Sequence, residues 1–226
     1  MERPPPRCRC STAACNTATA YGLGSLRERF SFPIVGVVEP VALQASLATR
    51  TMDVGVIGTR GTVASGSYPS VLRRLNPNIR VHQFACPLLV PLAEEGWLEG
   101  DVVETILTRY LAPLTHTEVD TLILGCTHYP LLTRAIAKVL ERSMPQGVTL
   151  LDSAASTAQS LAEVLSRESL LRLKVGDEHG DRRGSLRFLL TDLPDGFVET
   201  AKRFFGAEIC RYEHVDIIDQ SEVLDE

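Results

Sequence analysis

The stretch LILGCTHYPLL, residues 122–132, places a thiol directly after an apolar run and follows it with a hydroxyl, an imidazole and a phenol. The apolar, β-branched run before Cys126 predicts a strand over 120–124, and the apolar spacing from Tyr129 to Leu140 predicts a helix. Cys126 is therefore predicted to lie in a strand-to-helix turn. Ligands bind at this edge of parallel sheets because strand carboxyl ends and the free N–H groups of helix starts meet there. Taken alone, a cysteine here is also compatible with a small buried core residue.

A second cysteine, Cys15, has the same kind of setting. It lies in AACNTATA, residues 13–20, with Asn16 and Thr17 after it and a helical pattern over 20–30. The two thiols are 111 residues apart in the sequence, about the spacing of two α/β half-units, so they are predicted to face each other across one cleft. Two acid/base groups of the same kind on opposite sides of a carbon suit a racemase, which removes a proton from one face and returns one to the other.

A glycine- and threonine-rich stretch, GVIGTRGTVASGSY, lies between the two cysteines. Gly58 and Gly61 permit a tight backbone path, and Thr59 and Thr62 offer hydroxyls beside the free N–H groups of a helix start. This pattern predicts a cradle for a carboxylate, and a glycine turn with a threonine N-cap is the alternative. It is not a GxxxxGK[ST] phosphate loop, because no lysine follows the glycines.

Two adjacent acids, Glu94 and Glu95, follow a proline-bounded apolar stretch in FACPLLVPLAEEGW. Adjacent acids are typical of a solvated helix face. Cys86 in the same stretch marks another predicted strand end.

Metal and hydrolase sites are the competing interpretations of the cysteines. Cys8 and Cys10 with Cys15 have no second CxxC or HxxxH to complete a tetrahedral zinc site, so no metal is predicted. A cysteine hydrolase would pair Cys126 with His128. Residues two apart on a turn need not face each other, and that interpretation leaves Cys15 without a role.

The composition agrees with a cytoplasmic globular enzyme. The 226 residues are 44% hydrophobic and 23% charged, which is enough to bury a sizeable core. A net charge of −5 and a pI near 5.6 argue against direct nucleic-acid binding. We find neither an apolar run of the roughly 18 residues that a membrane span needs nor the apolar core of a signal peptide at the start. Six sparse cysteines do not make a disulfide scaffold.

The alternation of apolar runs and amphipathic stretches predicts an α/β fold with mainly parallel sheets flanked by helices. Strands are predicted at residues 34–38, 53–57, 79–84, 120–124, 148–151, 186–190 and 208–212. We expect two similar lobes with the active site in the cleft between them. The first lobe would comprise 1–37 plus 152–226, and the second lobe 38–151.

Four stretches, in order, carry a family resemblance: ACNTATA, GTRGTVASGSY, CPLLVPLAEEG and LILGCTHYPLL. They resemble the glutamate racemases, and the GCTHYP string is the most specific, since aspartate racemases typically continue differently after the cysteine. The resemblance implies a cofactor-independent enzyme that interconverts L- and D-glutamate for peptidoglycan synthesis. Its binding partner would be its substrate, glutamate, and assembly into a homodimer is compatible with the resemblance.

The resemblance also implies roles for particular residues. Cys15 and Cys126 would be the two catalytic acid/bases, His128 would support proton transfer at Cys126, and Glu94 would assist near a thiol. The substrate carboxylates and ammonium would be held by Asn16, Thr17, Thr59, Thr62, Thr127 and His128.

The chain departs from the family pattern before Cys15. Family members begin with an apolar strand that ends in an Asp-Ser-Gly turn, and later carry a Pro-Tyr-Gly turn; neither precedes Cys15 here. The first fourteen residues are rich in proline and arginine, so we expect no strand leading into Cys15 and a first lobe that is incomplete at its N-terminus. This leaves two alternatives open: an inactive remnant that acts as a binding protein, and an aspartate-type racemase.

Overall fold

The computed structural model describes residues 8–171, 187–192, 197–206 and 212–216. The chain divides into two compact units, Met1–Arg172 and Leu173–Glu226. The first unit carries all of the predicted site residues. The lobe boundaries predicted at 37/38 and 151/152 remain a prediction.

The centre of the first unit is a four-stranded parallel sheet. Its strands are β3 (Asp53–Gly58), β4 (Arg80–Ala85), β5 (Thr121–Gly125) and β6 (Thr149–Asp152), in the order β4-β3-β5-β6. Every neighbouring pair is parallel, so all four carboxyl ends lie at one edge. This confirms the predicted fold class and places Cys126, directly after β5, at the edge where parallel sheets bind ligands.

Helices cover both faces of this sheet. On one face Val54, Val56 and Ile123 pack against helices α2 (Val38–Ala48) and α4 (Ser67–Leu75). The other face buries Ile57, Leu122 and Leu124 against the helices α5 (Leu89–Glu94), α6 (Asp101–Leu111) and α7 (Thr133–Ser143) and against two 3-10 turns. Strands buried on both faces are apolar throughout, which is why β3 and β5 are recognisable as continuous runs in the sequence.

The remaining helices of the first unit follow the strands in the usual βα alternation. They are α1 (Asn16–Arg29), α3 (Arg60–Ala64), α5 (Leu89–Glu94), α6 (Asp101–Leu111), α7 (Thr133–Ser143) and α8 (Ser153–Arg167). The 3-10 turns are Ala112–His116 and Tyr129–Leu132. The helix predicted from Tyr129 to Leu140 therefore begins as a 3-10 turn. Pro130 lies in its first turn, and α7 starts only at Thr133.

A short strand, β1 (Ser11–Ala13), leads into Cys15, so the expectation that no strand does so is wrong. β1 pairs in parallel with β2 (Ile34–Gly36), and the Ser11 amide donates to the Pro33 carbonyl at 3.0 Å. The sequence pattern failed here because three small residues carry little strand preference of their own. The strand forms because the neighbouring strand, which is buried, supplies backbone partners.

Asp120 joins the opposite end of the sheet to the turn before β3. Its carboxylate accepts hydrogen bonds from the Thr49 hydroxyl at 2.8 Å, the Arg50 amide at 2.7 Å, the Thr51 amide at 3.0 Å and the Thr121 hydroxyl at 2.9 Å. Burial alone would raise the pKa of Asp120, but these hydrogen bonds outweigh burial and lower it. The buried carboxylate is therefore ionised and fixes the turn at the amino end of β5.

The second unit is described in three short pieces. They are β7 (Phe188–Leu190), α9 (Phe197–Phe205) and β8 (Tyr212–His214), and β7 and β8 form a parallel pair. Phe188 packs edge-on against Phe205, with ring centroids 5.3 Å apart. The prediction of a strand over 208–212 falls mostly on residues outside those described.

The helices among the described residues are all too short or too polar to cross a membrane.

Candidate active site

Cys126 lies immediately after β5 and is 5% exposed. Burial raises the pKa of the Cys126 thiol. The amides of His128 and Tyr129 and the hydroxyl of Thr127 donate to the sulfur and lower this pKa in part. Because the net direction is upward, Cys126 is a protonated thiol at neutral pH, with donors already in place for its thiolate form.

His128 connects this thiol to a carboxylate. Its Nδ1 atom is 3.8 Å from the Cys126 sulfur and 3.3 Å from the Thr127 hydroxyl. Its Nε2 atom is 3.1 Å from Glu94 Oε1. Residues two apart on a turn need not face each other, but here the tight turn after β5 brings the imidazole back to the thiol.

Glu94 reaches the imidazole from the last turn of α5. The loop after β4 carries α5 over the same sheet edge that β5 ends on, so a residue 34 positions earlier becomes a neighbour of His128. Glu94 is about half exposed. The alternative interpretation of the Glu94–Glu95 pair as a solvated helix face thus describes the exposure of both residues, but it misses the contact that Glu94 makes.

Cys15 is the N-cap residue of α1 and is exposed. Its carbonyl accepts the Thr19 amide at 2.8 Å, which begins the helix, and the first-turn amides of residues 16–18 have no partner within the helix. The Cys15 thiol is near enough to Cys126 to raise the pKa of Cys126 further. The two thiols, from separate parts of the chain, therefore lie at one site.

Three threonine hydroxyls form a cluster beside Cys15. Thr17 Oγ1 is 2.9 Å from Thr59 Oγ1 and 3.0 Å from Thr62 Oγ1, and the latter two are 3.0 Å apart. Thr59 is also the N-cap of α3 and accepts the Thr62 amide, as the alternative interpretation predicts. A Cβ atom at Gly61 would lie 3.0 Å from the Thr17 side chain, so glycine is needed there for close approach of α3 to α1.

Asn16 is placed differently from the other predicted substrate ligands. Its side chain is buried, and the carboxamide is engaged at both ends: Oδ1 accepts from the Tyr68 hydroxyl at 2.6 Å, and Nδ2 donates to Ser153 Oγ at 3.3 Å. Sequence reasoning missed both partners. Tyr68 ends the GVIGTRGTVASGSY stretch and is the second residue of α4, and in sequence it has the character of a core residue.

Cys86 does not join the two thiols in the site. It is fully buried in the core, and burial raises the pKa of its thiol to about 12. A thiol of this kind is inert at neutral pH. Among the described residues, groups of three or more His, Cys, Asp or Glu side chains arranged to hold a metal ion do not occur.

The chain matches known proteins along most of its length. Residues 5–161 match the family model described as Asp/Glu/hydantoin racemase. The glutamate racemase of Geobacter metallireducens is 43% identical over 196 residues, which are 87% of this chain and 69% of that protein. The glutamate racemase of Aquifex aeolicus is 40% identical over 196 residues, with the same two coverages.

Solved structures agree with the sequence matches. A glutamate racemase isoform of Bacillus anthracis superposes with a TM-score of 0.80 at 35% identity, covering 93% of this chain and 74% of that one. The glutamate racemase of Francisella tularensis, solved in complex with D-glutamate, superposes with a TM-score of 0.79 at 30% identity, covering 92% and 74%. The chain therefore belongs to the Asp/Glu/hydantoin racemase family and, within it, to the glutamate racemases.

Proposed function

We propose that Cys15 and Cys126 interconvert L- and D-glutamate by a two-base proton transfer. The observation that carries this proposal is the convergence of two thiols, one at the amino end of α1 and one at the carboxyl end of β5, with Cys15 close enough to raise the pKa of Cys126. Two acid/base groups of the same kind are what inversion at a carbon requires. Family membership supports the same reaction.

The proton transfer balances without an added reagent. The thiolate of one cysteine takes the α-hydrogen as a proton, and the C–H electron pair stays on Cα as a carbanion delocalised into the α-carboxylate. The thiol of the other cysteine gives its proton to the opposite face and becomes the thiolate. The enzyme therefore ends each turnover with its thiol and thiolate exchanged, ready for the reverse direction.

The carbanion needs fixed hydrogen-bond donors at the α-carboxylate, because the α-hydrogen of an amino acid is far less acidic than a thiol. The cluster of Thr17, Thr59 and Thr62 offers three hydroxyls beside Cys15. The first-turn amides of α1, which have no partner within the helix, add donors at the positive end of this 14-residue helix. Donors set in place before the reaction stabilise developing charge without having to reorganise.

His128 and Glu94 assist the buried thiol. The imidazole next to Cys126 can hold or return a proton when this thiol ionises, and Glu94 on the far nitrogen orients the ring. Thr127 offers its hydroxyl to the thiolate and contacts the same imidazole. Product D-glutamate would then be available for peptidoglycan synthesis in the cytoplasm.

The test is exchange of the α-hydrogen in D₂O. The chain is incubated with L-glutamate, the loss of the α-proton signal is followed by NMR, and D-glutamate is measured by circular dichroism. We expect D-glutamate that carries α-deuterium, while the remaining L-glutamate keeps its proton early in the reaction, because a different thiol serves each face. The absence of both exchange and D-glutamate would refute the proposal. The same assay with D- and L-aspartate distinguishes a glutamate racemase from an aspartate-type racemase, because only the latter would exchange and invert aspartate faster than glutamate.

A thiol hydrolase is the second candidate, because the contacts from Cys126 to His128 to Glu94 are also those of a nucleophile, a base and an orienting acid. It predicts an acyl-enzyme on Cys126 and release of an alcohol from a glutamate ester. Mass spectrometry of the chain mixed with such an ester decides this, since a racemase leaves the chain mass unchanged.

Replacement of Glu94 by glutamine is expected to lower kcat about tenfold, because an amide orients the His128 imidazole less strongly and does not stabilise its charged form. This is below the 10²- to 10⁴-fold contribution of a direct general acid or base, since Glu94 acts through His128 and is half exposed. Glu95→Gln is the matched control, because it removes the same charge one residue further on. Equal rates for the two variants, measured by circular dichroism, would remove Glu94 from the mechanism.

A further inference from the structure

Tyr68 is a fully buried tyrosine whose hydroxyl lies between the two halves of the site. It belongs to α4 and donates its hydroxyl hydrogen to Asn16 Oδ1 at 2.6 Å. Asn16 in turn donates to Ser153 Oγ at the start of α8. Asn16 directly follows Cys15, so this hydrogen bond holds the turn that carries the first thiol.

The ring of Tyr68 also contacts the turn that carries the second thiol. A Cβ atom at Gly125 would lie 3.0 Å from Tyr68 Cε2 and 3.4 Å from its hydroxyl oxygen. Glycine is therefore needed at this position for the ring to pack directly on the backbone. Gly125 is the residue before Cys126, so a single ring contacts the residue after one thiol and the residue before the other.

We propose that Tyr68 is a positioning residue, which holds the Cys15 turn and the Cys126 turn at the separation that proton transfer between the two faces of the substrate requires. The inference rests on the proposed function. It also assigns the Asn16 side chain to this framework instead of to the substrate, and leaves the backbone amide of Asn16 for substrate binding. A shift of about 1 Å between reacting groups can cost a factor of about 10² in rate.

Tyr68 acts as a hydrogen-bond donor and not as an acid or base. Burial raises the pKa of its phenol, and Cys126, when it is a thiolate, and Asp152 raise it further because a negative charge nearby disfavours a phenolate. The phenol is therefore neutral, and its hydroxyl donates to the Asn16 carboxamide. The hydroxyl can therefore supply the same donor to Asn16 at neutral and at moderately alkaline pH.

The test is Tyr68→Phe, which keeps the ring against Gly125 and removes only the hydroxyl. Two readouts are taken: glutamate racemisation normalised to folded protein, and the ¹⁵N–¹H signals of the Asn16 side-chain amide. We expect kcat to fall about 10- to 100-fold with KM within about threefold, because the threonine hydroxyls remain. We expect the Asn16 amide signals to move. When Asn16 is already replaced by alanine, adding Tyr68→Phe should lower kcat little further, because the hydroxyl acts through the Asn16 carboxamide.

Tyr110→Phe is the matched control. The Tyr110 hydroxyl also has a hydrogen-bond partner, since it accepts from the Leu88 amide at 3.3 Å, and neither residue adjoins a thiol in the sequence, so this variant should keep the wild-type kcat. Unmoved Asn16 signals in Tyr68→Phe would overturn the inference whether or not the chain turns over glutamate. Moved signals with an unchanged kcat, or fully additive losses in the double variant, would overturn it while leaving the two-thiol reaction intact. A wild-type chain without α-exchange would overturn the proposed function and this inference with it.

Discussion

Replacing either Cys15 or Cys126 by serine is expected to lower racemisation of glutamate by about 10²- to 10⁴-fold in both directions. Each substitution removes the acid/base for one face of the α-carbon, and a serine hydroxyl is too weak an acid to take its place. A racemase must use both faces in every turnover, so the remaining thiol cannot compensate. The measurement is the initial rate of optical change from L- and from D-glutamate.

Cys86→Ala is the matched control for these variants. Its thiol is buried in the core and inert, so this substitution should leave the rate per folded molecule unchanged. Each serine variant should still exchange the α-hydrogen of one enantiomer, because abstraction and return can occur on the face that keeps its thiol. Near-normal turnover in both directions by either serine variant would rule out the two-base assignment.

We also expect the residual α-hydrogen exchange of the Cys15→Ser variant to depend on pH. Only Cys126 is left as a base, and burial together with the nearby Cys15 group raises its pKa in the unsubstituted chain. Exchange needs the thiolate, so its rate should rise with pH and continue to rise past the ordinary thiol value of about 8.5. An exchange rate that is already constant at neutral pH would contradict the protonated resting state of Cys126.

The strands around the site could be predicted because burial on both faces leaves a strong local signal. β3 and β5 are continuous apolar runs, and their ends locate Thr59 and Cys126 at one sheet edge. The N-cap role of Thr59 could also be predicted, because a threonine at a helix start can accept the backbone amide three residues later, here that of Thr62. Features of this kind depend on neighbours in the sequence.

The contacts that organise the site could not be predicted, because they join residues far apart in the chain. The Glu94–His128 contact spans 34 residues and the Asn16–Ser153 contact spans 137. β1 was missed for the same reason, since its three small residues become a strand only beside β2. Asn16 follows the cysteine that we propose as an acid/base and therefore resembles a substrate ligand in sequence, whereas its carboxamide is hydrogen-bonded to Tyr68 and Ser153.

Replacing Asp120 by asparagine is expected to lower the free energy of unfolding by about 2 kcal/mol near neutral pH. The carboxylate accepts four hydrogen bonds, and an amide of the same shape turns one accepting oxygen into a donor that faces the Arg50 and Thr51 amides or the Thr49 hydroxyl. For a chain of this length the loss corresponds to a fall in Tm of about 4–8 °C. Thermal unfolding followed by circular dichroism measures it. Asp101→Asn, an exposed acid in the first turn of α6, is the control and should cost less than about 1 kcal/mol.

The difference in the free energy of unfolding between the wild type and Asp120→Asn should depend on pH and should be larger at neutral pH than in acid. The folded-state pKa of Asp120 is lowered, so the stability it contributes is fully present above the unfolded value of about 3.9 and is lost as the pH falls through the lower, folded value. The two unfolding curves should therefore be well separated at pH 6 and converge below about pH 4. Asp120 lies at the amino end of β5, opposite Cys126, so the folded fraction of the variant should keep the wild-type KM for glutamate. A changed KM at pH 7, or a stability difference that grows as the pH falls below about 4, would show that the carboxylate does more than fix the turn before β3.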